Sequence, residues 1–150
     1  MKWFRIFFVL IILLISIRAT AQESGFGAGI ILGEPTGLSF KSWLNSKTAV
    51  DFGLAWSFGR EDSFHLHGDY LIHNFKLLKA EKGRLVLYYG IGGRLKAEKK
   101  NRVGIRIPFG IAYLIEKAPL DIFFELAPLL DLAPATEFGF NAGLGIRYYF

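Results

Sequence analysis

The last fourteen residues, 137–150, constrain the fold most, because apolar side chains alternate there with small, polar or charged ones. One face of an extended strand would carry Phe138, Phe140, Ala142, Leu144, Ile146, Tyr148 and Phe150. The other face would carry Gly139, Asn141, Gly143, Gly145, Arg147 and Tyr149. A period of two predicts a β-strand with two unlike faces. An apolar face opposite a small, polar face is typical of a strand in a transmembrane β-barrel.

The same alternation recurs along the chain, with turn-forming residues between the repeats. It predicts eight strands, at residues 26–32, 37–44, 48–58, 64–75, 84–96, 103–115, 120–132 and 137–150. We therefore expect an all-β fold, an eight-stranded antiparallel up-and-down transmembrane β-barrel. Pro108 and Pro128 fall inside predicted strands. Since a closed barrel has no edge strand, we expect each proline to mark a β-bulge.

The first 21 residues have the three parts of a secretory signal peptide. These parts are a basic start (Lys2, Arg5), an apolar run (6–17) and a small-residue cleavage site (19–21). The pattern predicts a Sec signal cleaved after Ala21, with a barrel domain at 22–150 outside the cytoplasm. An uncleaved anchor is disfavoured, because a membrane span needs about 20 apolar residues and Arg5 and Arg18 interrupt this run.

Composition excludes several function classes. The chain has 150 residues and no Cys, so it has no disulfide framework and no thiol site. Its formal charge of +5 comes from 18 basic and 13 acidic residues. Three of the basic residues and none of the acidic ones lie in the predicted signal, which leaves 15 against 13. No dense basic patch remains, so we expect no nucleic-acid partner.

The charged residues of the predicted strands lie opposite the large apolar face. They are Lys41, Asp51, Asp69, Arg84, Arg94, Arg106, Asp121, Glu125 and Arg147, and Asp131 joins them if the register continues through Pro128. A Lys or Arg facing lipid at mid-bilayer costs about 2–4 kcal/mol, so this segregation predicts charges inside and apolar residues outside. The rival is a soluble lipocalin-like barrel with the apolar face inside. An eight-stranded interior is too narrow to hold so many large side chains.

The signal, the eight strands and the terminal Phe150 resemble the small outer-membrane barrels of the OmpA and OmpX kind. The resemblance implies a monomer in the cell outer membrane, in contact with membrane lipid and lipopolysaccharide. It also implies recognition by the barrel-assembly machinery, which in such proteins reads a C-terminal strand ending in an aromatic residue; here that signal would be Leu144, Ile146, Tyr148 and Phe150. The connections in this chain are short, unlike the long surface loops of some relatives. The resemblance transfers no particular activity.

A candidate site lies on the predicted fourth strand, where His65, His67 and Asp69 alternate on the inward face. Side chains two residues apart point the same way, so the imidazoles could share a metal. Asp and His could also activate a water, as in the outer-membrane aspartyl-type proteases. The simpler interpretation places them in the polar network of the lumen. Inward histidines also disfavour a lipid A deacylase, which needs Ser and His presented to lipid.

We therefore expect a non-enzymatic structural or surface-interaction protein whose lumen is plugged by ionic pairs, with no metal and no cofactor. One alternative is a small channel or carrier for a hydrophobic or ionic solute. The second is a lipid-modifying or proteolytic enzyme centred on His65, His67 and Asp69.

Overall fold

The computed structural model describes residues 25–34, 36–58 and 62–150, so the predicted signal peptide at 1–21 lies outside the described residues. The strands are β1 (Phe26–Glu34), β2 (Gly37–Trp43), β3 (Thr48–Phe58), β4 (Asp62–Asn74), β5 (Arg84–Ala97), β6 (Arg102–Arg106), β7 (Phe109–Leu114), β8 (Leu120–Ala133) and β9 (Glu137–Tyr149). Within these ranges, the chain forms no helix that is long and apolar enough to cross a membrane.

The sheet closes on itself. Neighbouring strand positions pair antiparallel around the barrel, and β9 pairs with β1 from Gly27↔Tyr149 to Glu34↔Ala142. β6 and β7 occupy successive parts of one position, because both pair with β5 and both pair with β8. The barrel therefore has eight strand positions and no free edge, which confirms the predicted antiparallel up-and-down architecture.

The two faces of the sheet are as unlike as the alternation predicted. In β9, Leu144 and Ile146 are exposed on the outer face, whereas Arg147 and Tyr149 are buried inside. Large apolar residues are exposed on every strand position, and Ile91 in the middle of β5 is 58% exposed. The apolar face is therefore the outside of the barrel, opposite to the arrangement in a lipocalin-like barrel.

The prediction of a β-bulge at Pro108 and at Pro128 is wrong, because neither proline shifts the strand register. Arg106↔Leu129 and Phe109↔Leu126 lie on either side of the break between β6 and β7 and belong to one continuous register. The carbonyl of Pro108 accepts a hydrogen bond from Gly90 N (2.9 Å), and that of Pro128 accepts one from Ile107 N (3.0 Å). The reciprocal bonds are missing because proline has no N–H. These two missing hydrogen bonds lie close together, so they interrupt the strand between β6 and β7 without inserting an extra residue.

The irregularity lies elsewhere, at the end of β8. Val103 pairs with Ala133 whereas Gly104 pairs with Asp131, so Leu132 is an extra residue in the ladder. Asp131 directly precedes this bulge, so its side chain still points inward, and it is buried. We call the end of the barrel where β1 begins and β9 ends the lower end, and the opposite end the upper end.

Candidate functional site

A row of charged residues crosses the middle of the lumen because the strand register aligns them. Lys41 pairs with Asp51 and Asp51 pairs with Asp69 on consecutive strands. Gly92 lies between Asp69 and Arg106 in the same row. A Cβ at Gly92 would collide with the carboxylate of Asp69. The missing side chain leaves room for Arg106, whose Nε lies 2.9 Å from Asp69 Oδ2.

Asp121 is the centre of a second buried cluster, next to the first row. Arg147, its cross-strand partner, donates from Nε to Asp121 Oδ1 (3.1 Å), and Tyr149 donates its hydroxyl to Oδ2 (2.6 Å). The guanidinium of Arg147 also lies over the ring of Phe123, 3.9 Å from the centroid. Its Nη1 is 4.0 Å from Asp51 Oδ2, which joins this cluster to the charged row.

Glu125 closes the network from the opposite wall. Arg106 donates from Nη2 to Glu125 Oε1, and Tyr88 donates its hydroxyl to Oε2 (2.9 Å). Arg106 therefore bridges Asp69 and Glu125, so one cation offsets charge on two carboxylates. Buried charges with partners on both sides are the arrangement in which a polar lumen is tolerated.

Aromatic rings pack together at the lower end of the lumen. Lys41 Nζ donates to His73 Nε2 (2.7 Å), and His73 Nδ1 donates to the carbonyl of Lys47 (3.0 Å). The Trp43 ring packs against His73 with centroids 4.3 Å apart, and Phe75 lies 6.4 Å from both rings. These side chains form a packed aromatic layer at the lower end of the lumen.

Ion pairs also lie along one side of the upper end. Arg94 makes a two-point contact with Asp131, with Nε–Oδ1 at 2.8 Å and Nη2 donating to Oδ2. Arg102 lies 2.8 Å from a carboxylate oxygen of Glu98 and 2.7 Å from one of Glu137. Bidentate and networked pairs are the more strongly held kind.

Two histidines of β4, His65 and His67, lie beside the buried charged residues. The rings of His65 and His67 are buried and lie edge to face at 5.6 Å, and His67 Nε2 is 3.9 Å from Asp69 Oδ2. Possible ligand atoms of Asp51, His67 and Asp69 lie within 4.8 Å of one another, close enough to share one ion. Arg106 already provides a cation beside Asp69, so the geometry favours an ion pair over a metal centre. His65 lies outside this group of three.

Two cavities in the described part of the lumen differ in size. The cavity beside His67, Arg106 and Glu125 measures about 10 Å³, which is at the lower limit for one water. A larger space of about 200 Å³ opens at the upper end, beside His65 and Asn141. The charged rows lie between this mouth and the aromatic layer at the lower end.

The structure buries seven of the nine charged residues predicted for the lumen: Lys41, Asp51, Asp69, Arg106, Asp121, Glu125 and Arg147. The side chain of Arg94 is 9% exposed. Arg84 corrects the prediction, because it is the first residue of β5 and is exposed at the rim, where its guanidinium lies over the Phe75 ring at 4.4 Å.

Sequence reasoning missed the neutral partners of the network. Tyr88 and Tyr149 each donate to a buried carboxylate. Both share the parity of the inward charges, so the same alternation could have identified them. Leu144, Ile146, Tyr148 and Phe150 lie on the outer face, and their role in assembly stays a prediction.

Comparison with known proteins shows a likeness in fold. No protein-family model matches the sequence, and no curated protein matches it. The structure is similar to the crystal structure of the N-terminal β-barrel domain of Pseudomonas aeruginosa OprF, with a TM-score of 0.58 and 14% sequence identity. The match covers 83% of this chain and 95% of that domain. The resemblance to small outer-membrane barrels is thus confirmed at the level of architecture.

Proposed function

We propose that the protein is an integral outer-membrane barrel with a plugged lumen, which acts as a structural or surface-interaction protein. The observation that carries the proposal is the reversal of the usual polarity: large apolar residues cover the outside and paired charges fill the inside. A soluble monomer rarely exposes a contiguous apolar surface above a few hundred Å². Such an apolar outer surface is stable when it contacts the acyl chains of lipid instead of water.

The dimensions of the outer surface support this environment. Outward apolar residues of β5 run from Leu85 to Leu95, ten residue steps that span about 34 Å along the strand. With a tilt of about 40°, the belt is about 26 Å tall, close to the apolar band of about 25 Å in such barrels. Exposed aromatic residues mark both limits: Phe26 and Phe150 at the lower end, Trp56 and Phe138 at the upper end.

The buried charges of the lumen favour a plugged barrel rather than an open pore. Three buried cations (Lys41, Arg106, Arg147) lie among four buried carboxylates (Asp51, Asp69, Asp121, Glu125). Removing one partner of a buried pair leaves an uncompensated charge, which costs about 3–5 kcal/mol. An opening that parts these pairs is therefore unfavourable, and an eight-stranded barrel is only wide enough for its own side chains.

Conductance in planar bilayers tests the plug. The chain without residues 1–21 is folded into vesicles, and insertion is verified by protease protection so that a silent bilayer is informative. We expect no steady single-channel current. Stable current steps that scale with the amount of inserted protein would instead support a channel.

The non-enzymatic part of the proposal has its own test. His65→Ala and His67→Ala variants are assayed together with the wild type for turnover of lipid A and of peptides. We expect no turnover that depends on either histidine. Hydrolysis by the wild type that both variants lose would establish the enzyme alternative. Fractionation of the native protein with the outer membrane checks its location.

A further inference from the structure

The two ends of the barrel differ in charge. The lower end carries five exposed lysines, which we call the basic collar: Lys47, Lys76, Lys79, Lys82 and Lys117. The acidic residues in the same turns are Glu81 and Glu116. At the upper end, the described turns and strand ends hold four basic residues (Lys96, Lys99, Lys100, Arg102) and four acidic ones (Glu34, Asp62, Glu98, Glu137). The lower end is therefore the strongly positive one.

The two ends also differ in how the charges are used. At the upper end, two of the four basic residues are paired: Lys96 Nζ lies 3.4 Å from Glu98 Oε2, and Arg102 bridges Glu98 and Glu137. Lys99 and Lys100 form no ion pair among the described residues. Within residues 25–34, 36–58 and 62–150, by contrast, no lysine of the basic collar forms an ion pair. The collar thus presents unneutralised charge to its surroundings.

The collar is held together by the fold. The backbone N of His73 donates to the carbonyl of Lys47 (2.7 Å), which joins the β2–β3 turn to the end of β4. The Tyr113 hydroxyl donates to the carbonyl of Lys82 (2.8 Å), which joins the β4–β5 turn to the end of β7. Lys117 lies in the next turn, so the three turns form one surface.

This surface borders the outer apolar belt. Leu77, between Lys76 and Lys79, is 65% exposed, and Phe26 is exposed at the same end. Apolar side chains beside unpaired lysines match the boundary between acyl chains and headgroups. We propose that the basic collar binds the headgroups of anionic phospholipids in the leaflet next to the lower end. The inference rests on the proposed membrane location.

Lipid selectivity tests the collar directly. The protein is inserted in vesicles of phosphatidylcholine with spin-labelled phosphatidylglycerol or phosphatidylcholine, and the fraction of immobilised label gives their relative association. A lysine near an anionic surface contributes enough to favour phosphatidylglycerol about fivefold at each contacted site. We expect this preference at low salt and its loss at 1 M NaCl, where charges are screened over about 3 Å.

A matched pair of variants separates the collar from net charge. Lys79→Gln with Lys82→Gln removes two lysines from the lower end, and Lys99→Gln with Lys100→Gln removes two from the upper end. The lower variant should lose most of the preference, while the upper variant should keep that of the wild type. Equal losses in both, or no preference in the wild type, would overturn the collar. No immobilised lipid of either kind would instead show that the barrel does not insert, which refutes the proposed function.

Discussion

Arginine substitutions at two depths of one strand measure whether the outer face contacts lipid. Ile91 lies midway along β5, is 58% exposed and pairs with Tyr70 of β4. Leu95 lies on the same face, 43% exposed, and four residues closer to the upper end, about 10 Å along the axis of a strand tilted by about 40°. Arginine costs about 2–4 kcal/mol at the midplane and about 0–1 kcal/mol near the interface.

We therefore expect Ile91→Arg to lower the free energy of unfolding by about 2–3 kcal/mol more than Leu95→Arg does. The assay is reversible unfolding by guanidinium chloride of the protein folded in phosphatidylcholine vesicles. If water covered this face, both substitutions would change the free energy of unfolding by less than about 0.5 kcal/mol, because surface changes in water have little effect. Two equal and small values would therefore refute the assignment of the outer face.

Two further predictions concern the lumen, and both are measured by the same unfolding experiment. Arg147→Met leaves the buried carboxylate of Asp121 without its cation, so it should lower the free energy of unfolding by about 3–5 kcal/mol. Adding Asp121→Asn should recover part of that loss. A decrease below about 1 kcal/mol for Arg147→Met would mean that the pair is not buried. Gly53→Ala places a Cβ against the ring of His67 and should lower the free energy of unfolding by about 1–3 kcal/mol. Gly139→Ala is the control, because a Cβ there has ordinary contacts, and it should be close to neutral. Similar decreases at the two glycines would contradict the packing of His67.

The fold was predictable because a closed barrel leaves little freedom once the strands are known. The alternation in 48–58 predicted β3 (Thr48–Phe58) to the residue, and the ends of the other predicted strands differ by two residues or fewer. Alternation is a direct consequence of strand geometry, since successive side chains point to opposite faces. The rival orientation of the faces was disfavoured by interior volume and by the segregation of the charges.

Features that depend on pairing partners were harder to predict. Pro108 and Pro128 were expected to insert bulges, but each keeps the one ladder bond that its carbonyl can accept. The bulge at Leu132 has no proline or glycine directly beside it in β8 to mark it, and the adjacent glycine, Gly104, lies on the partner strand β6. A single strand carries no information about which bond its neighbour loses.

The same limit applies to the lumen. Parity alone assigned the inward charges, but it could not show that Arg84 lies beyond the end of the buried network. It also could not show that Arg106 serves both Asp69 and Glu125. These contacts depend on the stagger of strands far apart in sequence, which the register of the closed sheet determines.

Quenching of tryptophan fluorescence by dibrominated acyl chains tests directly whether the outer face of the barrel lies in lipid. Trp56 is 46% exposed on the outer face, whereas Trp43 is 8% exposed and packs against His73 in the lumen. The third tryptophan, Trp3, falls in the predicted signal and is omitted from the folded chain. Trp43→Phe leaves Trp56 as the probe, and Trp56→Phe leaves Trp43. In brominated vesicles we predict strong quenching of the Trp56 fluorescence and weak quenching of the Trp43 fluorescence. Equal quenching, or stronger quenching of Trp43, would contradict an outer face in lipid and a sealed lumen.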